Sequence, residues 1–210
     1  MDISRRNALK KLAALSGSVF LPGLSSTENP VFDSQGSIKQ SVSRWPYADI
    51  QLDKFCAQVK DIGIQSVELL GPDDWDTLHK YDLHCAMANG AEIGLTEGFN
   101  DPQFHNQLEE NYKKMIPKVA EAGFTNLICF SGNRNGMDDE KGLQHCVEGL
   151  KRILPVAEDH GVTICMELLN SKVDHPDYMC DSTKWGRALC DELGSDNFKL
   201  LYDIYHMQIM

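Results

Sequence analysis

From Ile38 onward, short apolar runs alternate with helical patterns, and several of those patterns stop at a glycine just before the next run, as in Lys60-Asp61-Ile62-Gly63, Glu121-Ala122-Gly123 and Asp159-His160-Gly161. A recurrence of strand, helix and terminal glycine is the pattern of a parallel α/β fold, in which each crossover helix covers the strands it connects. The candidate strands are Ile38 to Ser43, Ser66 to Leu70, Leu83 to Ala88, Asn126 to Phe130, Thr163 to Leu168 and Lys199 to Ile204. The candidate helices are Leu52 to Asp61, Asp73 to Lys80, Asp101 to Ala122, Asp138 to His160 and Ser182 to Leu193. Pro117 and Pro155 fall inside two of them and predict a kink or a break there.

Two parallel architectures compete. An open, doubly wound sheet announces itself by a glycine-rich phosphate loop after its first strand, whereas this first strand runs into Ser43-Arg44-Trp45-Pro46. The closed (β/α)8 barrel is therefore favoured. Such a barrel takes about 250 residues, and about six of its eight strands are legible here. An incomplete barrel leaves its first and sixth strands with unpaired backbone groups, which predicts poor stability or a homo-oligomer.

With 31 acidic residues against 20 Lys plus Arg, the net charge of -11 disfavours nucleic acid as a partner. The chain start has a different plan. Ser4-Arg5-Arg6 precedes the weakly apolar run Leu12 to Leu24, which Gly17, Pro22 and Gly23 interrupt. This is the plan of a twin-arginine leader, not of a stable membrane span. Residues 1–36 are accordingly expected to be leader and linker, residues 37–210 the barrel domain, and the location periplasmic or exported, or cytoplasmic if the leader does not function. The seven cysteines are odd in number, and Cys85, Cys129 and Cys165 sit in apolar runs, which suits free core thiols.

Two apolar runs end in an acid: Glu167 in VTICMELLN and Asp203 in FKLLYDIYHMQIM. A carboxylate among Val, Ile, Leu and Met is costly to bury without a partner. An edge strand with its acid in water would explain one such run. Two runs about one β-α unit apart fit a barrel better, because the ends of successive strands converge on one face, where neighbouring acids can share a divalent cation.

The segments Ile38-Lys39-Gln40-Ser41-Val42-Ser43-Arg44-Trp45, Gly63 to Leu70, Ser131-Gly132-Asn133-Arg134 with Met137, Glu167-Leu168-Leu169-Asn170, and Tyr202-Asp203-Ile204-Tyr205-His206-Met207-Gln208-Ile209 together resemble the hydroxypyruvate isomerase family of xylose isomerase-like barrels. The resemblance implies a divalent metal, Mg²⁺ or Mn²⁺, bound in part by Glu167 and Asp203, with Glu167 also a catalytic base. It further implies that the two remaining ligands lie on the seventh and eighth strands, beyond Met210. His206, Arg44, Trp45, Asn133, Arg134 and Asn170 are the implied substrate-binding positions, the two arginines being candidates for a substrate carboxylate.

The implied activity is isomerisation of a small hydroxy-oxo acid, most like hydroxypyruvate to tartronate semialdehyde. A sugar 3-epimerase or sugar dehydratase of the same barrel group, or a non-catalytic chain lacking ligands, are the rivals. Glu68 is expected to make a structural salt bridge. His79, His105, His145 and His160 are expected to be solvated on helices, and His175 with Asp174 and Asp177 to form a solvated loop.

Overall fold

The computed structural model describes residues 38–210; the expected leader and linker, and with them the twin-arginine reading, lie outside the described residues. Strands β1 (Ser41–Ser43), β2 (Ser66–Glu68), β3 (His84–Cys85), β4 (Asn126–Cys129), β5 (Thr163–Glu167) and β6 (Phe198–Leu201) are all parallel to their neighbours and lie in sequence order. The ladder breaks between β3 and β4, where Ala88 alone bridges to Leu127: its N–H donates to Asn126 O (2.9 Å) and its carbonyl accepts from Ile128 N (3.0 Å). The third strand is thus shorter than the run Leu83 to Ala88 suggests. Past Cys85 its backbone keeps the register with the residues that follow β2, Met87 O accepting from Leu69 N and Ala88 bridging Leu70, but without a continuous ladder.

The helices are α1 (Leu52–Asp61), α2 (Pro72–Lys80), α3 (His105–Glu121), α4 (Asp139–Leu150), α5 (Leu154–His160), α6 (Thr183–Leu193) and α7 (Ile204–Ile209). The single helix expected from Asp138 to His160 is two. Pro155, which lacks an N–H and clashes with the preceding turn, sits in the first turn of α5, where neither defect matters. Pro117, by contrast, remains inside α3. The last residues form a short helix, α7. Local chemistry fixes the ends: Asp138 and Ser182 cap α4 and α6 by accepting from Lys141 N and Trp185 N.

The core lies between the strands and the helices. Leu127, Ile164 and Met166 of β4 and β5 are fully buried in one apolar cluster with Leu108, Ile116, Leu150 and Leu189. Burying such a side chain contributes about 2 kcal/mol. The hydroxyl of Tyr112, also fully buried, donates to Ile128 O (2.7 Å), so it crosses the core without an unmet hydrogen bond. All seven cysteines are free and six are buried, with burial pushing the Cys165 thiol up to about 12. Those thiols act as small hydrophobes.

His105 departs from the expectation of a solvated helix residue. It is buried, with Nε2 at 2.8 Å from Phe99 O, because α3 starts against the loop that leads into it.

Candidate active site

The carboxyl ends of parallel barrel strands converge on one face, and loops leaving those ends build its walls. At this face lies an open cleft of about 970 Å³. Its floor includes Ile128, Phe130 and Leu169, its walls Trp45, Leu69 and residues 92–95, and its polar groups Asn89, Glu92, Glu167, Asp174, His175, Asp203, Tyr205 and His206. Trp45 belongs to the 3₁₀ turn Trp45–Tyr47 after β1 and is 71% exposed, so its indole forms a rim of the cleft.

Glu167 is the last residue of β5, paired in register with Leu201 of β6, and Asp203 follows two residues later. Their positions at adjacent strand ends bring two acids to one spot. Glu167 has its pKa pushed up to about 7, first by burial, then by the negative charges of Asp203 and Glu68. Glu68, at the end of β2, accepts a hydrogen bond from Ser43 Oγ (3.0 Å); among the described residues it forms no ion pair, so the expected salt bridge is not what holds it. Asp203 divides its two oxygens. Oδ1 caps α7, accepting from Tyr205 N (2.7 Å) and His206 N (3.4 Å), which leaves Oδ2 for the cleft.

The backbone of Glu167 is itself fastened. Tyr178, 1% exposed, donates its hydroxyl proton to Glu167 O (3.0 Å) and accepts from Ser131 N (3.1 Å), tying β5 to the loop after β4. Tyr178→Phe should leave a buried donor and a buried acceptor unmet and cost about 1–3 kcal/mol. Urea denaturation checks this; a variant as stable as the parent would show that the two groups find other partners.

The donor set suits a hard divalent cation in part. The negative charge of Asp203 disfavours ionisation of Glu167, a cation between them would offset that, and oxygen donors select Mg²⁺ or Mn²⁺ over softer metals. Among the described residues no group of three His, Cys, Asp or Glu side chains converges on one point. Glu167 and Asp203 therefore fit one side of a coordination sphere.

The other expected positions divide sharply. His206, buried, lines the cleft, and Asn170, also buried, stands directly behind it with Nδ2 at 2.6 Å from His206 Nδ1. Arg44 does not enter the cleft. Its guanidinium donates to the carbonyls of Tyr47, Ala48 and Ile50, because the 3₁₀ turn that follows β1 curls those oxygens towards it. Arg134 is likewise held inside the protein, paired with Asp139 and with Asp181 (3.1 Å) and donating to Met179 O (3.1 Å). Asn133 serves the loop framework. Its N–H donates to Thr96 O (3.0 Å), and its carbonyl accepts from Asn100 Nδ2 (2.6 Å).

Sequence reasoning gave Asp174 and His175 no role; the structure leaves Asp174 exposed, as expected of a solvated loop, and has both residues line the cleft. Hydrogen bonds from Asn170 and Tyr205 hold the Asp174 carboxyl below its ordinary range, and burial lowers the pKa of His175. Their position directly after β5, on the face where strand ends gather, was the available signal.

The family model of the xylose isomerase-like TIM barrel matches residues 32–210. Over 64 residues the chain is 36% identical to the 2-oxo-tetronate isomerase of Cupriavidus necator, covering 30% of this chain and 24% of that enzyme. Similar stretches match the D-psicose 3-epimerase of Agrobacterium fabrum, 33% identical over 63 residues (30% of this chain, 21% of that enzyme), and a putative hydroxypyruvate isomerase of Mus musculus, 31% identical over 64 residues (30% and 23%). The matched stretches thus span less than a quarter of each relative's own length.

Among solved structures, an AP endonuclease of family 2 from Brucella melitensis superposes with a TM-score of 0.71 at 17% identity, covering 82% of this chain and 71% of that one. An IolI protein with a bound zinc atom superposes with a TM-score of 0.67 at 17% identity, covering 80% and 64%. At these identities the structural likeness speaks for the fold.

Proposed function

The chain belongs to the xylose isomerase-like TIM barrel family, and on that premise we propose that its cleft supports metal-dependent isomerisation of a small hydroxy-carbonyl compound, most like hydroxypyruvate to tartronate semialdehyde. The observation that carries this reading is Glu167, a carboxylate at a strand end whose pKa of about 7 suits a base at neutral pH.

Moving a carbonyl to the adjacent carbon removes a proton from the hydroxyl-bearing carbon and returns one to the former carbonyl carbon. Mg²⁺ or Mn²⁺ held by Glu167 and Asp203 would supply Lewis-acid polarisation of the carbonyl and its neighbouring hydroxyl. The carboxylate of Glu167 takes the proton, Asp203 turns its uncapped oxygen to the cleft beside it, and His206 donates a hydrogen bond to a substrate oxygen. Ile128, Phe130 and Leu169 form an apolar floor that limits water.

A second reading is a sugar 3-epimerase. It is favoured by the cleft's charge: among the described residues lining it there are four carboxylates, Glu92, Glu167, Asp174 and Asp203, and neither Lys nor Arg. A hydroxy-oxo acid brings a carboxylate that these residues do not neutralise, whereas the hydroxyls of a neutral ketose suit Asn89, Asp174, His175 and His206 as hydrogen-bond partners.

One experiment tests both. The protein is incubated with Mn²⁺ in D₂O with either hydroxypyruvate or a ketohexose, and deuterium incorporation next to the carbonyl is followed by proton NMR against metal alone. Protein-dependent exchange into hydroxypyruvate supports the first reading, and exchange into the ketohexose only moves the assignment to the second. Exchange into neither overturns the proton-transfer reading.

A further inference from the structure

The side chain behind His206 is more tightly specified than the ring it touches. Asn170 is completely buried at the start of the loop after β5. Its Oδ1 accepts from two backbone donors, Val173 N (3.0 Å) and Asp174 N (2.9 Å), which fixes the orientation of the amide. A flipped amide would aim its NH₂ group at two N–H groups. With Oδ1 so assigned, Nδ2 has two hydrogens and two neighbours: Asp174 Oδ2 at 2.7 Å, which can only accept while ionised, and His206 Nδ1 at 2.6 Å. Every donor and acceptor of the amide is thereby used, and His206 Nδ1 is left one role, that of acceptor.

We propose that Asn170 is a positioning residue that locks His206 in the Nε2–H tautomer, so that this ring meets the cleft as a hydrogen-bond donor. A neutral imidazole carries one N–H, and the partner of one nitrogen decides the state of the other. Nε2 is 4.0 Å from Asp203 Oδ2 and on the side of the cleft.

The ring is also kept from turning. It sits between the rings of His175 and Tyr205, with centroids at 5.2 and 5.1 Å, and the Tyr205 hydroxyl donates to the same Asp174 oxygen that Asn170 engages (2.9 Å). Tyr205, Asp174, Asn170 and His206 form one closed circuit, in which Asn170 also holds the loop by accepting His175 N at its backbone oxygen (3.1 Å). What Nε2–H donates to, a carbonyl or hydroxyl oxygen of the substrate, rests on the isomerase reading; the tautomer does not.

The test is the ¹⁵N spectrum of the imidazoles in the labelled protein at pH 8, where an ordinary imidazole is neutral. His206 is assigned by the signals lost in His206→Gln. The expected result is a protonated Nε2 and an unprotonated Nδ1 in the parent protein, and the reverse in Asn170→Asp, whose second oxygen can only accept. A protonated Nδ1 in the parent, or an Asn170→Asp spectrum with the tautomer unchanged, would overturn the assignment. The parent spectrum decides even if Asn170→Asp does not fold. Absence of turnover with a locked Nε2–H tautomer would count against the isomerase reading alone.

Discussion

Glu167→Gln is expected to make the metal-free protein more stable above pH 7 while removing its chemistry. In the folded protein this carboxyl holds its proton up to about 7, against 4.5 for an unperturbed glutamate. The sign follows directly. Between those two values the folded state binds more protons than the unfolded one, so stability falls as pH rises from about 4.5 to about 7 and stays low above that. The difference corresponds to about 3 kcal/mol at full ionisation, at 1.36 kcal/mol per unit. Gln has no proton to lose and no charge to repel Asp203 or Glu68.

Urea denaturation in EDTA at pH 4.5 and pH 8 should show the parent losing stability between the two and Glu167→Gln losing much less. At pH 8 the variant should be the more stable by up to about 3 kcal/mol. Equal pH dependence of the two proteins would mean that Glu167 is hydrated like a surface acid. Turnover should fall by about a hundred- to ten-thousand-fold, the usual worth of a positioned proton-transfer group. On the proposed reading, a site that is destabilising when empty and ionised is what a cation-binding carboxylate pair costs the fold.

The second large effect is expected at Gly98. The loop after β3 crosses the loop after β4 with the backbones in contact: Phe99 N donates to Phe130 O (3.3 Å) and Asn100 N to Ser131 O (2.8 Å). A Cβ on Gly98 would overlap the backbone of Ser131 and Gly132 and lie 2.5 Å from Phe130 O, none of which is a flexible side-chain end. Gly98→Ala must therefore part the two loops. A cost of about 3 kcal/mol is expected, of the size found for overpacking, with a fall in Tm of about 6–12 °C for a domain of this size. Because residues 92–95 wall the cleft and Phe130 floors it, cation and substrate affinity should weaken as well. A melting temperature within a degree or two of the parent's would show that the crossing has slack.

Legibility in the sequence followed the range of the interactions involved. The order of strands and helices was readable because it is written in local periodicity, and Glu167 and Asp203 were found because an acid that closes an apolar run is conspicuous within a few residues. The break between α4 and α5 was signalled by Pro155 alone, and its position is that of the proline's first-turn preference. What was not legible depended on directions set by tertiary contacts.

Arg44 stands where a strand end meets the cleft, yet the turn Trp45–Tyr47 offers its carbonyls to the guanidinium and draws it away. Arg134 is drawn to Asp181 and Asp139, which come from a distant loop and the following helix. The approach of Asp174 and His175 to the cleft depends on Asn170 accepting two backbone donors, and on Arg134 N donating to Asp177 O (2.7 Å). The strand expected from Leu83 to Ala88 is regular only over His84–Cys85, and beyond it the pairing with the residues after β2 survives as the single bridge from Ala88 to Leu70.

On the proposed reading, Glu167 and Asp203 act together as the cation-binding centre of this cleft. Calorimetric titration of the protein with Mn²⁺ at pH 7.5 tests it most directly, alongside Glu167→Gln and Asp203→Asn. Saturable binding by the parent is expected, with release of a fraction of a proton as the cation displaces the one Glu167 retains, and loss of that binding in both variants. Mn²⁺ binding that survives in both variants would contradict it, as would a parent protein that binds none.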